Sequence, residues 1–340
     1  MGQKILDIKD FSFRDEVGDP FIIRMHHLDH YPKGNGKMGV KKEKLEHKNL
    51  GEDFDFNSNF KMYYGKDVPG FPVHPHRGFE TITIVLKGFV DHSDSAGLTG
   101  RYGNGDVQWM TAGKGMQHAE MFPLVYDDKE NTLELFQIWL NLPRKNKFVE
   151  PHYKMLWNED IPIVKEINEN GNIAYIKVIS GSYKNTNSLD PNPDSWANDK
   201  NNNVNIWIIN MEPNSSIDIP KISSTLNRKL YLYKGGNIYI DGTEIKNPKT
   251  INLNGNEQIK VTNGDENSYL LLLEGEPIGE KVVNYGPFVM TSMEEIHEAY
   301  RDYEKNHFGG WPWEKEGPVN PKEKERFAKY SKENIVYPKK

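Results

Sequence analysis

The chain has 340 residues, enough for about two domains and a sizeable hydrophobic core. Its formal net charge of -6, with acidic and basic residues interleaved, gives no general attraction to nucleic acid or to anionic membranes. The absence of cysteine excludes disulfides and thiolate ligands, so a metal would need histidine and carboxylate ligands. The N-terminal residues form no apolar segment of signal-peptide length, and the longest aliphatic run elsewhere, 270–273, is too short to cross a membrane. We therefore expect a cytoplasmic protein.

Most of the chain consists of short apolar and β-branched segments separated by Gly, Asn, Asp and Pro, which is typical of an all-β sandwich or barrel. In chain order, the clearest predicted strands are 80–86, 107–110, 133–140, 173–179, 204–211, 229–233, 237–240 and 269–273. The strands fall into two groups of similar size. The sequence therefore predicts a mainly all-β protein with two β modules.

Two segments outside these groups have a different character. The stretch 144–163 contains Pro151 and Pro162 and is predicted to connect the two modules. Residues 291–295 have the spacing of a helix capping box. From Met293 within this box onward, apolar side chains recur at helical intervals, at Ile296, Tyr300 and Tyr303. We expect one amphipathic helix at about 292–306 that packs on the β core, followed by a polar tail.

Two pairs of metal-binding residue types lie in the first module: His74 with His76, and His118 with Glu120. Each pair has one residue between its members, so on a strand both members point to the same face. If the two strands meet inside a barrel, three imidazoles and one carboxylate converge. This ligand set suits a first-row divalent metal and leaves coordination positions open. A packing role is the alternative for either pair alone, and the presence of both favours a metal site.

One further glutamate and four further histidines are candidates for roles near this set. Glu80 is an even number of positions from His74 and His76. On one continuous strand it would therefore also face inward, unless a bulge intervenes at 77–78. We assign it as a pocket group that orients an imidazole, with a buried, satisfied carboxylate as the alternative. His26, His27 and His30 have no ordinary metal-site spacing and are expected to be structural or surface residues. His92 is expected to pack near the barrel mouth.

Five segments together resemble the pirin family: HPHRGFETITIVLKG (74–88), DHSDSAG (91–97), GDVQWMTAGKGMQHAEMF (105–122), LELFQIWLNLP (133–143) and PIGEKVVNYGPFVM (277–290). The resemblance implies a bicupin with two antiparallel β-barrel cupin domains, to which the sequence pattern adds the C-terminal helix. It also implies that His74, His76, His118 and Glu120 bind one metal. Val68 stands where the general cupin motif has glycine, whereas Glu80 matches the glutamate of that motif, which keeps Glu80 a candidate.

The implied domains are a metal-binding cupin at 1–145, a second cupin without metal ligands at 146–290, and the helix and tail at 291–340. The second module has no histidine between His152 and His297, so only one metal is expected per chain.

The resemblance further implies a metal-dependent dioxygenase that cleaves a flavonol such as quercetin, in the manner of a quercetin 2,3-dioxygenase. Fe(II) is the expected metal, with Cu, Ni, Mn and Zn as alternatives. The substrates would be a small hydroxylated aromatic compound and dioxygen, with Glu120 or Glu80 as general base. The alternative is an iron-dependent, redox-sensitive regulatory protein that binds a transcription factor or a metabolic enzyme without contacting nucleic acid directly.

Overall fold

The structure is a computed structural model that describes residues 2–339. The chain divides into two compact units. The N-terminal unit, named for its largest segment, consists of Met25–Glu159 together with the residues from Glu280 onward. The C-terminal unit consists of Asp160–Gly279 together with the residues up to Arg24. The domain boundaries at 145 and 290 stay a prediction.

The described chain consists mainly of β-strands, with one α-helix near its end. The first ten strands are β1 (Ile5–Asp10), β2 (Arg14–Gly18), β3 (Phe21–Tyr31), β4 (Gly70–His76), β5 (Phe79–Lys87), β6 (Phe89–Asp94), β7 (Thr99–Gly103), β8 (Val107–Thr111), β9 (Met116–Met121) and β10 (Asn131–Asn141). The next are β11 (His152–Leu156), β12 (Ile163–Ile167), β13 (Ile173–Ser180), β14 (Ser182–Tyr183), β15 (Thr186–Asn187), β16 (Asn205–Met211), β17 (Ser216–Ile219), β18 (Asn227–Gly235), β19 (Ile238–Ile240), β20 (Thr243–Ile245), β21 (Lys249–Leu253), β22 (Ile259–Asn263) and β23 (Ser268–Gly275). The last elements are β24 (Val283–Tyr285), β25 (Phe288–Met290), α1 (Met293–Asn306), β26 (Phe327–Lys329) and β27 (Ile335–Val336). Short 3-10 helices lie at Lys42–Lys44, Arg144–Asn146, Trp196–Asn198, Lys200–Asn202 and His307–Gly309.

The N-terminal unit is built around two antiparallel sheets. One contains the order β11-β8-β5-β10-β3, and the other has the order β27-β26-β7-β6-β9-β4. Apolar side chains from both sheets form one buried cluster, which includes Val85, Val90, Tyr102, Met110, Met116 and Leu135. The second sheet brings β4, which contains the first histidine pair, next to β9, which contains His118 and Glu120.

The C-terminal unit also contains two antiparallel sheets, ordered β1-β21-β18-β23-β16-β13-β12 and β17-β22-β19-β20. Its interior is filled by apolar side chains from both sheets, including Trp207, Ile217, Leu230, Ile251 and Val261. No histidine occurs in the two segments that form this unit. The side chains that fill this interior are therefore mainly apolar, without an imidazole ligand.

The predicted fold class is confirmed. Every strand predicted from the sequence is present, with ends within two residues of those predicted. The stretch 144–163, predicted as a connector, also contains β11, which pairs with β8. This strand is short and follows directly on Pro151, so it produced little periodic signal in the sequence.

The predicted helix is also present as α1, with Ser292 as its N-cap. The Ser292 hydroxyl accepts a hydrogen bond from the Glu295 backbone N–H at 3.2 Å, and the Glu295 carboxylate accepts one from the Thr291 N–H at 2.9 Å. The first bond satisfies a backbone donor that a helix start leaves free, and the second fixes the residue before the N-cap. The helix packs against β25 in an apolar cluster of Phe288, Met290, Ile296 and Ala299. Over residues 2–339, no helix is both long and apolar enough to cross a membrane.

The polar tail predicted after the helix packs on the second sheet of the N-terminal unit. Its strand β26 pairs with β7, and Trp313 donates its indole N–H to the Asp94 carbonyl at 2.8 Å. In β7, the buried Arg101 side chain donates to both carboxylate oxygens of Asp91, at 2.6 and 2.8 Å. The same guanidinium donates to the carbonyl oxygens of Lys322 and Lys324 in the tail. Arg101 therefore links the tail to the sheet.

Replacing Arg101 with methionine should lower the free energy of unfolding by about 3–5 kcal/mol, because the Asp91 carboxylate would stay buried without its charged partner. Urea unfolding measures this. The same substitution at Arg144 is the matched control, since its guanidinium is 71% exposed and lies 3.5 Å from Glu295. Its loss should stay below about 1 kcal/mol. Equal losses in the two variants would contradict the structural role of Arg101.

Candidate metal centre

The centre is built on the pairing of β4 with β9. The two strands run antiparallel, and His74 lies directly opposite His118. His76 lies two residues further along β4, and its ring lies near both of those rings. A register shift between Phe71 and His74 bends the strand just before the histidines. The convergence of the two strands predicted from the sequence is confirmed.

Three imidazoles form a compact cluster. His74, His76 and His118 each offer one nitrogen, and these nitrogens lie within 4.8 Å of one another. The ring centroids are 4.4 Å apart for His74 and His118, 4.8 Å for His74 and His76, and 4.9 Å for His76 and His118. Across residues 2–339, this is the one group of His, Asp or Glu side chains with such spacing. The arrangement can place three nitrogen ligands around a single metal ion.

Backbone carbonyls orient two of the rings. His74 Nδ1 lies 2.8 Å from the Pro72 oxygen, and His76 Nδ1 lies 3.3 Å from the Pro287 oxygen. Because a carbonyl only accepts, Nδ1 carries the proton in each ring and Nε2 keeps its lone pair for a metal. Both ring nitrogens of His118 are buried and have no hydrogen-bond partner among the described residues. Such unsatisfied groups are costly in a protein interior, and a metal ligand role would satisfy one of the two nitrogens. The residues therefore fit a divalent metal.

Burial sets the protonation of these rings. It lowers the pKa of His74 to about 4 and lowers the pKa of His76 and His118 well below the usual value. The neighbouring imidazoles lower the pKa of His76 and His118 further. All three rings are consequently neutral near pH 7, which is the form that binds metals.

Glu120 lies beside the cluster. Its Oε2 is 3.7 Å from His118 Nε2. The carboxylate accepts hydrogen bonds from Thr83 Oγ1 at 3.1 Å and from Gln137 Nε2 at 2.7 Å, and burial raises its pKa. These donors hold the carboxylate next to the imidazoles. Its assignment as the fourth ligand stays a prediction.

Glu80 has a different environment. Its carboxylate accepts a hydrogen bond from Thr111 Oγ1 at 2.7 Å. On β5, Glu80 and Thr83 are separated by two residues, so they point to opposite faces, and Thr83 is the one that reaches Glu120. The inward and outward alternation of side chains along β4 does not continue into β5, because the turn after His76 interrupts it. At this turn Gly78 has a φ of +86°, and an added Cβ would meet the Val289 carbonyl at 2.1 Å. This geometry favours Glu120 over Glu80 as the carboxylate of the centre.

The remaining histidines lie outside the cluster. His27 is buried and its Nδ1 lies 2.9 Å from the Tyr63 hydroxyl, while His26 lies 3.4 Å from Glu134 and His30 is exposed. These positions agree with structural or surface roles. His92 is buried with Nε2 3.1 Å from Asp94, and its ring centroid is 5.6 Å from that of His118. It therefore packs beside the centre.

Sequence reasoning missed three contributors to the centre. Thr83 and Gln137 hold Glu120, and the Pro287 carbonyl orients His76. Strand alternation could have indicated the first two, since each lies on a predicted strand. No sequence signal points to Pro287, because a backbone carbonyl is common to all residues and this one lies 211 positions from its partner.

Comparison with known families gives two matches. Residues 35–140 match the family profile described as Pirin, and residues 206–309 match the one described as Pirin C-terminal cupin domain. The two profiles lie in the order expected for a bicupin.

Curated relatives and solved structures agree with these matches. A Pseudomonas aeruginosa protein, named as a candidate quercetin 2,3-dioxygenase, is 34% identical over 243 residues, which cover 70% of this chain and 79% of that protein. A pirin-like protein of Solanum lycopersicum is 36% identical over 244 residues, which cover 70% of this chain and 77% of that protein. A crystal structure of quercetin 2,3-dioxygenase from Acinetobacter baumannii shares the fold, with a TM-score of 0.69, 24% identity, and coverage of 90% of this chain and 98% of that one. With matches to both profiles and these relatives along most of its length, the chain belongs to the pirin family of bicupins.

Proposed function

We propose that this protein is a metal-dependent dioxygenase that acts on a flavonol such as quercetin. The observation that carries the proposal is the cluster of three neutral imidazoles, with His76 and His118 buried and His74 partly exposed, next to the Glu120 carboxylate. The name of the Pseudomonas aeruginosa relative supports the choice of reaction.

The side chains have distinct parts in this reaction. His74, His76 and His118 would hold a divalent metal, which would supply Lewis acidity toward the 3-hydroxyl oxygen of the flavonol. The carboxylate of Glu120 accepts the proton of that hydroxyl, and its burial makes it a stronger base than a carboxylate in water. Thr83 and Gln137 keep the carboxylate oriented during the transfer.

The metal we propose is Fe(II). Imidazole and carboxylate ligands also accept Cu, Ni, Mn and Zn, so the ligand types support a divalent metal and the family resemblance favours iron.

The cytoplasmic location stays a prediction.

Substituting His76 with alanine should reduce the metal content from about one ion per chain to a small fraction, because the cluster loses one of three nitrogen ligands. Elemental analysis of protein purified without added metal measures this. His297→Ala is the matched control, since His297 is exposed on α1. Undiminished binding in His76→Ala would contradict the ligand assignment.

Two carboxamide variants separate the roles of the carboxylates. Glu120→Gln should weaken metal affinity about 10- to 100-fold, because it removes a negative charge beside the imidazoles while keeping a group for Gln137 to bond. Glu80→Gln should bind metal almost as tightly as the wild type, because Glu80 points to the other face of β5. Competition with a chelating dye measures both affinities. A larger loss in Glu80→Gln than in Glu120→Gln would reverse the assignment.

Flavonol turnover tests the reaction itself. Protein loaded anaerobically with Fe(II) and then given quercetin and air should bleach the flavonol absorbance and release carbon monoxide as the ring opens. His118→Ala should do neither, because it lacks one metal ligand. Unchanged absorbance with a fully occupied centre would count decisively against the dioxygenase.

The regulatory alternative, in which the protein binds a transcription factor or a metabolic enzyme, stays a prediction. Pull-down with the Fe(II) and Fe(III) forms distinguishes the two classes. A partner retained in only one oxidation state would favour regulation.

A further inference from the structure

Two uncharged polar side chains lie on one wall of the metal centre. Trp139 on β10 is directly opposite Thr81 on β5. Along these strands, Trp139 shares a face with Gln137, and Thr81 shares a face with Thr83. Gln137 and Thr83 both bond to Glu120, so this face of the strand pair looks toward the carboxylate and the imidazoles.

Neither of the two polar groups has a protein partner. The indole N–H of Trp139 and the hydroxyl of Thr81 are both buried, and neither has a hydrogen-bond partner among residues 2–339. A buried donor or acceptor left unsatisfied costs about 1–3 kcal/mol, so two of them side by side call for an occupant with polar atoms. The indole only donates, whereas the hydroxyl both donates and accepts. Together they suit a guest that presents neighbouring carbonyl and hydroxyl oxygens.

The surroundings favour a planar aromatic guest. The centroid of the Trp139 ring lies 4.2 Å from that of the Phe79 ring and 5.5 Å from that of the His76 ring. Aromatic side chains therefore border the polar pair. Trp139 retains 8% exposure and His74 is partly exposed, so neither the wall nor the cluster is fully closed to solvent.

We propose that Trp139 and Thr81 determine substrate specificity by hydrogen-bonding the oxygen atoms of a planar, hydroxylated aromatic ligand next to the metal centre. The ligand class rests on the proposed function. We call Trp139 and Thr81 together the anchor. Because the anchor acts on ligand binding, its role can be tested without turnover.

The test uses Zn(II)-loaded protein, which binds ligand without redox chemistry, and measures quercetin affinity by calorimetry. Trp139→Phe keeps an aromatic ring but removes the N–H, and Thr81→Val keeps the side-chain shape but removes the hydroxyl. Each should weaken quercetin binding about 3- to 10-fold, the effect of one hydrogen bond between neutral groups, while the zinc content stays unchanged. Thr81→Val alters so little volume that the test does not depend on how Trp139→Phe folds.

The C-terminal unit offers matched controls. Trp207 and Thr250 are also buried there, with an indole N–H and a hydroxyl that have no partner among the described residues. Trp207→Phe and Thr250→Val should leave quercetin affinity unchanged.

The outcomes separate this proposal from the dioxygenase. Wild-type affinity in both Trp139→Phe and Thr81→Val would overturn the anchor, as would the absence of quercetin binding by the zinc-loaded wild type. An ordered water that satisfies both groups without contacting the ligand would give the first of these results. Weakened binding in the variants, combined with no oxygenation by the Fe(II) protein, would support the anchor and overturn the proposed reaction.

Discussion

The antiparallel pairing of β4 with β9 places His74 opposite His118, and the other features of the centre depend on it. Because side chains opposite one another in a sheet lie close together, the pairing gathers imidazoles that the sequence separates by more than 40 positions. The same pairing buries the rings, and burial keeps them neutral. Both nitrogens of the neutral His118 ring lack a partner among the described residues, and a metal ligand role would satisfy one of them. The pairing of β4 with β9 thus determines the arrangement of the three imidazoles, their neutral form and their capacity to bind a metal.

The two units use similar sheets for different purposes. The C-terminal unit fills its interior with apolar side chains such as Trp207 and Leu230 and gains stability from their burial. The N-terminal unit places Thr83, Gln137 and Glu120 in its interior, where each polar group needs a hydrogen-bond partner. A binding site in a barrel therefore replaces part of the hydrophobic core, and one unit of this chain retains a full core while the other holds the centre.

The C-terminal segment completes the N-terminal unit. The Glu316 carbonyl accepts a hydrogen bond from the Val73 N–H, next to His74, and the Tyr303 hydroxyl donates to Gln117, next to His118. With the Pro287 carbonyl at His76, each of the three imidazoles has a contact from this segment to itself or to its neighbour in the chain. Residues far from the histidines in sequence thus hold the strands that carry them.

Local pattern determined much of this protein. Short apolar and β-branched segments between turn residues predicted the β elements, and strand alternation predicted the shared face of His74 and His76. The distribution of histidine predicted a single centre. The register between strands, however, was decided only by the tertiary structure. It depends on which distant segments pair and on where a turn changes the face of the sheet to which the following side chains point. The turn at Gly78 is an example. After it, Thr83 lies on the face of β5 that contacts Glu120, and Glu80 lies on the opposite face. The opposition of Trp139 to Thr81 and the Pro287 contact arise in the same way, from chain closure over long separations that periodicity within one segment does not encode.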